Sequence, residues 1–463
     1  MTRPRLHTRW AAFAVLCTVL LPLSIPGAAS PLTALFALAA VLGLLAVHRR
    51  AFANWLIVLA LTLLLLPALL TAVVLCQRLA GIPAMLSVWS AISQRTGIMA
   101  QAIVCAAEFA SAVSLAWLCY AGAEAEIPTP PVAHPGRLRA PTVAAILAVW
   151  TFSMANFQLQ LGASILSAGY RLLPTGNQLF YSGMWPSLGT LSLLLLELHA
   201  RHWSTPARML LNGLWAIQFL AELLHGGRAE LLAGVFVLLL IRIRSYDRQV
   251  SLVLLGAIVG IPLLTFVAVF RQLAASGTVP ISTMVSQSLF ELEHFHEIGD
   301  LGDYAASTTS SLYMIESGRR PLLWGKTYLD YIPRLEPSAM RGGYHALGTT
   351  DLLKDAGLDT NGGGTVVSEA YMNFSWWGCL LVGLVNGWLI AWLHRRRLRT
   401  PSPLWVCLYT VAVAYTFRFY FYDSYDLIKI EFVFLLYFFA IRLLEAAGRP
   451  EPARVGTLAV EGR

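Results

Sequence analysis

Charge is scarce in this sequence: Asp, Glu, Lys and Arg together make up 13% of its 463 residues, against roughly 25% in a typical soluble domain. Hydrophobic residues reach 57%, and the mean hydropathy is +0.64. So little charge excludes a cytosolic enzyme, a disulfide-rich secreted domain and a disordered chain. What remains is a polytopic membrane protein, because each membrane-spanning helix needs about 20 apolar residues.

Several other features are also missing. The sequence has no P-loop and no glycine-rich dinucleotide fingerprint, so nothing in it predicts a nucleotide site. Its six cysteines lie in or at the edge of apolar runs, which indicates neither a disulfide framework nor a cysteine metal site. No internal repeat is visible that would indicate the inverted halves of many transporters. The net charge of +8 suits basic cytoplasmic loops better than a nucleic-acid partner.

Apolar runs predict an all-α polytopic fold with about 12 transmembrane helices. Nine of these helices fall in 1–270, a large extracytoplasmic loop occupies 271–369, three more helices fall in 370–446, and a cytoplasmic tail covers 447–463. The predicted spans are 11–28, 31–47, 55–77, 96–120, 142–157, 178–198, 207–224, 229–241, 250–270, 370–393, 403–420 and 428–445.

The distribution of Lys and Arg predicts that both termini are cytoplasmic. In that orientation 20 of the 33 basic residues face the cytoplasm and 13 face the opposite side, 7 of them in the long loop. Over the short connections the contrast is therefore 20 to 6, as the positive-inside rule expects. The first apolar run ends near Gly27-Ala28-Ala29 like a signal peptide, but we expect it to remain as an uncleaved first span.

The loop at 271–369 holds 12 of the 25 acidic residues. Helical periodicity predicts one short helix within 281–295 and a second over 304–317, ending at Gly318. Such helices lie along the membrane surface or cap a cavity. The loop's tyrosines and tryptophan either anchor the membrane interface or stack on sugars. Carboxylates and histidines at 291–297 give only a weak metal signal, and we interpret them as a wetted helix face, with no metal.

Three pieces of sequence within 322–378 resemble the Wzy-type oligosaccharide repeat-unit polymerases, also called O-antigen polymerases. That family carries a G-x-T-Y segment, then I-P-R, and later G-E-x-Y-x-N-F-G ahead of a span. Gly226-Gly227-Arg228 and Arg271 also fit its pattern. This chain departs from it where Leu335-Glu336-Pro337 replaces a W-P-x-K-P stretch, and where serines at 368 and 375 replace glycines. The matching loop residues are Gly325, Thr327, Tyr328, Ile332, Pro333, Arg334, Glu369, Tyr371, Asn373 and Phe374.

The resemblance implies a GT-C-like fold and glycosyl transfer at the outer face of a bacterial inner membrane. A glycan carried on undecaprenyl diphosphate passes to the end sugar of another lipid-linked repeat unit, without a cofactor. The departing diphosphate develops negative charge, which the forked donors of arginine stabilise. The implied partners are undecaprenyl-diphosphate-linked oligosaccharides and membrane lipids. A chain-length regulator and a flippase are further partners of such a system, whereas nucleic acid is not.

The resemblance and the predicted topology together select the candidate site residues. Glu369 and His345 are candidate bases for the acceptor hydroxyl, and Arg334 completes the catalytic set. Each arginine also has a plain interpretation, in which it reaches lipid headgroups, and Glu369 one in which it stabilises the first turn of the tenth span. Arg319 and Arg320 are interpreted as a solvated pair. The substrate-binding set comprises Arg228, Arg271, Arg341, Arg418, Tyr328 and Tyr371.

Two alternative activities stay open. An O-antigen ligase would use the same arginines with a different acceptor, whereas a lipid-oligosaccharide flippase would place its charges along a central cavity. Only Glu108 lies in the middle of a predicted span, and charge otherwise gathers at the outer ends, which favours an outer-face enzyme. The other large class of membrane glycosyltransferases usually carries an acidic pair in its first outer loop, and 28–31 contain no acid.

Overall fold

The computed structural model describes residues 3–82, 95–121, 138–161, 185–225, 228–243, 248–253, 255, 282–283, 286–287, 299–335, 364–400, 402–421 and 424–447. Every regular element in these ranges is helical. Among them, four helices are long and apolar enough to cross a membrane: Trp55–Leu79, Thr96–Ala121, Trp376–Arg399 and Pro403–Phe421. The fold is that of a helical membrane protein.

The α-helices are numbered here in chain order. In the first half of the chain they are α1 Arg3–Leu23, α2 Pro31–Val47, α3 Trp55–Leu79, α4 Thr96–Ala121, α5 Ala140–Leu161, α6 Trp185–His199, α7 Thr205–His225 and α8 Arg228–Arg242. In the second half they are α9 Gly299–Glu316, α10 Lys326–Leu329, α11 Tyr331–Arg334, α12 Val366–Phe374, α13 Trp376–Arg399, α14 Pro403–Phe421 and α15 Ser424–Ala447.

Apolar length locates several helices closely. The predicted spans at 31–47, 55–77, 96–120 and 403–420 coincide with α2, α3, α4 and α14 to within two residues. Polar residues mark such ends: the side chain of Asn54 caps α3 by accepting a hydrogen bond from the Leu56 N–H at 3.0 Å. The predicted span at 250–270 lies almost entirely outside the described residues, and the total of about 12 spans stays a prediction.

The structure corrects the predicted span at 370–393. The helix is interrupted at Ser375, whose φ of 58° lies in the left-handed region, so α12 and α13 are separate helices. Gly378 makes this junction possible, because a Cβ atom there would lie 2.1 Å from the carbonyl oxygen of Ala370. Glu369 therefore belongs to the short helix α12 and not to the first turn of a membrane helix.

Helix α4 is the centre of the bundle, with α1, α2, α3 and α13 packed around it. Helices α4 and α13 run parallel. Gly383 faces Phe109, and four residues further along both helices Gly387 faces Val113. A Cβ atom on Gly387 would lie 2.3 Å from the carbonyl oxygen of Val113. Small residues thus let the two backbones approach closely, as is common between membrane helices.

Contacts between helix termini define one end of the bundle. Asn54 at the start of α3 contacts His394 near the end of α13 at 2.9 Å. The next residue, Trp55, donates to Gln249 at 2.6 Å, and Gln249 in turn donates to a backbone carbonyl just after α8 at 2.6 Å. Because α8 ends beside α6, through an Arg242–Glu197 ion pair of 2.8 Å, α6 also ends here. We call this the Arg201 end, and the opposite end of the bundle the Glu369 end.

Candidate functional site

Glu369 lies in the first turn of α12, which has a well-formed N-terminus. Thr365 accepts a hydrogen bond from the Ser368 N–H at 3.1 Å, and Ser368 accepts one from the Thr365 N–H at 3.4 Å, which completes a capping box. The Glu369 side chain is 2% exposed. A carboxylate in a first turn interacts favourably with the helix dipole, so the plain interpretation of Glu369 applies to α12.

The Glu369 carboxylate is also the centre of a buried polar cluster. Thr327 donates to its Oε1 at 2.9 Å, and the Tyr331 hydroxyl donates to the same oxygen. Asn373 donates its Nδ2 hydrogen to Thr327 Oγ1 at 2.7 Å. We call Thr327, Tyr331, Glu369 and Asn373 the motif cluster, because three of the four match the family pattern and Tyr331 adjoins its I-P-R piece.

Backbone hydrogen bonds hold the loop that carries Thr327 against the end of α12. The N–H groups of Leu323 and Trp324 donate to the carbonyl groups of residues 372 and 373 at 3.0 and 2.9 Å. Trp324 and Gly325 have φ angles of 49° and 83°, so the chain turns sharply here. A Cβ atom on Gly325 would also lie 3.2 Å from Phe374. Conformation and space therefore both favour glycine at 325.

Tyr328, a predicted binding residue, packs beside the motif cluster. Its ring stacks on Phe374 with centroids 6.1 Å apart and meets Tyr331 edge-on at 5.7 Å. Burial and the nearby Glu369 carboxylate raise the pKa of Tyr328 well above its ordinary value, so the phenol keeps its proton. Within the described residues, its hydroxyl and Asn373 Oδ1 are buried without a hydrogen-bond partner. Such atoms are rare, and a water or bound hydroxyl would satisfy them.

Hydroxyl groups of α9 hold α12 in place. Thr308 and Thr365 lie 2.7 Å apart through their hydroxyl oxygens, and Ser307 and Ser368 lie 3.3 Å apart. All four side chains are buried, so each hydroxyl needs such a partner. The helix predicted at 304–317 is confirmed as α9, and Gly318 follows it with a φ of 70°.

Tyr371, another predicted binding residue, is fully buried and donates to Glu316 at 3.1 Å. Its ring does not reach solvent, and its role in binding stays a prediction. Two arginines lie over the neighbouring Tyr313 ring, Arg95 at 4.3 Å and Arg319 at 5.1 Å from its centroid. Arg319, interpreted from the sequence as part of a solvated pair, therefore makes a cation–π contact. Sequence analysis missed Arg95, because nothing local links it to Tyr313.

Arg418, a predicted binding residue on α14, forms an ion pair with Glu230 of α8. Its Nη2 lies 2.8 Å from Glu230 Oε1, with the two side chains 23% and 3% exposed. Ser187 donates to the same oxygen at 3.0 Å, and the Tyr415 hydroxyl donates to Oε2 at 2.8 Å. We call Ser187, Glu230, Tyr415 and Arg418 the Arg418 cluster. Its hydrogen bonds offset the loss of solvation that burying an ion pair entails.

A second carboxyl, Glu222, extends the Arg418 cluster. Glu222 is 1% exposed and accepts a hydrogen bond from Gln218 at 2.9 Å. Its other oxygen has no hydrogen-bond partner in the described part of the chain, although the charges of Glu230 and Arg418 both reach it. Sequence analysis gave no role to either glutamate. The available signal is a carboxylate inside an apolar run, where ionisable residues are usually functional.

The motif cluster and the Arg418 cluster lie at the same end of the bundle. Tyr331 contacts the ring of Tyr425 at a centroid distance of 5.6 Å. Tyr425 belongs to the first turn of α15, which follows directly on α14, and Arg418 lies in the last turn of α14. Helix α12 also packs against α14. Both clusters therefore belong to the Glu369 end.

The backbone alone places two other predicted site residues at this end. Arg228 is the first residue of α8, two positions before Glu230, and Arg334 is the last residue of α11, just after Tyr331. Arg271, Arg341 and His345 lie outside the described residues, as do 291–297. The residues that the structure describes contain no group of three His, Cys, Asp or Glu side chains suited to a metal ion.

Comparisons of this chain with protein-family models, curated proteins and solved structures find no match. The likeness to Wzy-type polymerases therefore depends on the motif residues themselves. Their geometry is the remaining basis for a functional proposal: two remote pieces of sequence meet at one buried carboxylate, and a fixed guanidinium lies at the same end of the bundle.

Proposed function

We propose that this protein is a Wzy-type polysaccharide polymerase, which joins undecaprenyl-diphosphate-linked repeat units at the outer face of a bacterial cytoplasmic membrane. The observation that carries the proposal is the motif cluster. Two of the pieces that resemble the family, at 325–328 and 369–374, come together around Glu369, and Tyr331, which adjoins the third piece at 332–334, donates to the same carboxylate. Helix formation alone does not require these pieces to meet, whereas a shared site does.

The proposal places the Glu369 end outside the cytoplasm. This orientation follows from the basic residues outside the long loop, of which 20 lie on the predicted cytoplasmic side and 6 on the opposite side. The Arg201 end then faces the cytoplasm, and several basic residues lie at its helix termini. These include Arg49, Arg50, Arg201, Arg242 and Arg395.

The Arg418 guanidinium, held in place by Glu230, would supply fixed hydrogen-bond donors to the departing diphosphate. During transfer, the bond between the donor sugar's anomeric carbon and the diphosphate oxygen breaks, and charge builds up on the leaving group. A guanidinium already oriented by Glu230 stabilises that charge without rearranging during the reaction. Arg228 is the first residue of α8, the helix that carries Glu230, so the backbone of a second arginine lies at the same end of the bundle.

The acceptor hydroxyl loses its proton as its oxygen bonds to the anomeric carbon. Glu369 and His345 remain the two candidate bases. As a base, Glu369 would exchange one of its present donors, Thr327 or Tyr331, for the acceptor hydroxyl. The protonated Tyr328 hydroxyl and Asn373 Oδ1, neither of which has a hydrogen-bond partner among the described residues, would offer a donor and an acceptor for sugar hydroxyls.

Exposed apolar side chains next to the motif cluster suit a lipid-linked substrate. Trp324, Leu329 and Ile332 are 74%, 67% and 70% exposed, although they flank the buried Thr327 and Tyr331. On a membrane protein, such residues on short helices lie at the lipid interface. The polyprenyl chain of the donor would approach along this surface and leave its diphosphate near the polar clusters.

One observation favours a second candidate, a lipid-oligosaccharide flippase. Glu108 lies midway along α4 and is fully buried. Intramembrane carboxyls of this kind are functional candidates by default. Glu108→Gln separates the two functions: a polymerase keeps making long polymer, whereas a flippase that depends on Glu108 leaves repeat units at the cytoplasmic face.

The test of the proposed function is a gene deletion followed by sizing of the surface glycan and of the carrier-linked intermediates. A polymerase deletion accumulates single repeat units on undecaprenyl diphosphate, or displays them singly at the surface. Full-length polymer retained on the carrier would show a ligase instead. Repeat units confined to the cytoplasmic face would show a flippase, and either of these results contradicts the proposal.

A further inference from the structure

A groove of about 440 Å³ opens at the Arg201 end, remote from both polar clusters. It lies between the first turns of α5 and the turn that leads from α6 into α7. Leu147, Leu211 and Leu214 give it an apolar floor, and the partly exposed Trp203 forms one wall. The proposed polymerase chemistry uses none of these residues.

Two exposed arginines adjoin residues that line this groove. Arg201 directly precedes His202 and Trp203, and Arg208 directly follows Ala207, all three of which line the groove. Both arginines are exposed. Arg208 is held at the α6–α7 turn, because its Nε donates to the carbonyl oxygen of Ala200 at 3.1 Å.

One carboxylate on the α5 side of the groove, Glu445, already has partners of its own. Glu445 accepts a hydrogen bond from the backbone N–H of Arg139 at 3.0 Å, and the Arg139 side chain donates to the Glu445 carbonyl at 3.4 Å. Glu445 is therefore engaged with Arg139 on the α5 side of the groove. The α7 side keeps two exposed arginines beside an apolar floor.

We propose that this groove binds an anionic phospholipid, with one acyl chain on the leucine floor and the phosphate between Arg201 and Arg208. An acyl chain would pack against the leucine floor, and the N–H donors of the arginines would bind the phosphate oxygens. A tryptophan at the mouth is typical of the boundary between acyl chains and headgroups. The inference depends only on the protein being in a membrane, and it holds whether or not the chain is a polymerase.

The test measures lipid binding to the purified, delipidated full-length protein in detergent. Native mass spectrometry compares phosphatidylglycerol with phosphatidylcholine of the same acyl chains. We expect tighter binding of phosphatidylglycerol, and about a 25-fold loss of its affinity in Arg201→Gln/Arg208→Gln, since an arginine near an anionic lipid contributes about fivefold. The matched control Arg49→Gln/Arg50→Gln removes two exposed arginines at the same end and should leave the affinity unchanged.

A second pair of variants tests the acyl chain. Ala207→Trp should fill the groove and remove the bound phosphatidylglycerol, and Leu214→Trp does the same if the first variant fails to fold. Equal affinity for the two lipids in the wild type would overturn the proposal, as would unchanged binding in Arg201→Gln/Arg208→Gln. An equal loss in the Arg49→Gln/Arg50→Gln control would show diffuse charge attraction, and displacement by glycerol phosphate at equal concentration would show a headgroup site without an acyl groove. Both results also overturn it.

Discussion

Arg418 and Glu230 form a hydrogen-bonded ion pair of 2.8 Å, although 188 positions separate them in the sequence. The pair joins α14 to α8, and Tyr415, one turn before Arg418, bonds the second oxygen of the same carboxylate at 2.8 Å. The guanidinium is thereby held in one orientation at the Glu369 end. A guanidinium fixed in this way suits a diphosphate site, because the side chain does not lose conformational freedom each time substrate binds.

Removing Glu230 should expose how much the Arg418 cluster depends on charge. Glu230→Ala leaves Arg418 partly buried without its carboxylate, at an expected cost of about 3–5 kcal/mol in stability. The melting temperature of the purified protein in detergent measures this cost. The double variant Glu230→Leu/Arg418→Met should regain most of the stability and still make no polymer. A stable double variant that makes normal polymer would exclude Arg418 from the site.

Thr327→Val tests the motif cluster with almost no change in side-chain shape. It removes the hydroxyl that donates to Glu369 at 2.9 Å and accepts from Asn373 at 2.7 Å. Losing these two buried hydrogen bonds costs about 1–3 kcal/mol in stability, and we expect polymer growth to stop. Thr327→Ser, the matched control, should keep both. Surface glycan of normal length in the valine variant would show that the hydroxyl is not needed.

The backbone-placed arginines give a prediction about chemistry rather than stability. Arg228→Ala and Arg334→Ala should each abolish chain growth while the protein remains in the membrane, as an immunoblot of membrane fractions would show. Lysine at either position should rescue poorly, because it lacks the forked donors that match phosphate. Arg49→Ala at the other end of the bundle should have no effect. Normal polymer length in an alanine variant removes that arginine from the proposed site.

The α4–α13 contact predicts unequal effects for two glycine substitutions in helices. Gly387→Ala places a methyl group 2.3 Å from the Val113 carbonyl oxygen, and such overpacking costs about 1–3 kcal/mol. Gly43→Ala meets no atom within 4 Å and should be neutral or slightly stabilising, since alanine is the better helix former. Melting temperatures of the two variants compare them directly. Equal melting temperatures would contradict the close packing of α4 on α13.

The helices that could be located from the sequence are those whose ends are set by neighbouring residues. Helices α3 and α4 were located closely because apolar length and a capping residue such as Asn54 act over a few neighbouring residues. The interruption at Ser375 was not predicted, since the residues on both sides suit a continuous apolar helix. It depends on Gly378 packing against Ala370 and on hydroxyl contacts from α9, which are features of the packed structure.

In the candidate site, too, local features could be predicted from the sequence, whereas contacts between distant residues could not. Glu369 was chosen from the sequence, and its place in a first turn follows from the local capping pattern. Its hydrogen-bond partners Thr327 and Tyr331 lie 42 and 38 positions away, and no local rule pairs them. Glu230 was missed because its importance comes from Arg418 on another helix, although a carboxylate two residues after Arg228 in an apolar run is a signal that sequence analysis can use.

The most direct measurement is polymerisation by the purified protein in liposomes. The substrate is the undecaprenyl-diphosphate-linked repeat unit extracted from a deletion strain, and the products are sized by gel and mass spectrometry. The proposal predicts a ladder of lengthening glycan on the carrier, with undecaprenyl diphosphate released as linkages form, and no ladder with Thr327→Val or Arg418→Ala. Repeat units that remain single in the presence of folded wild-type protein would contradict it.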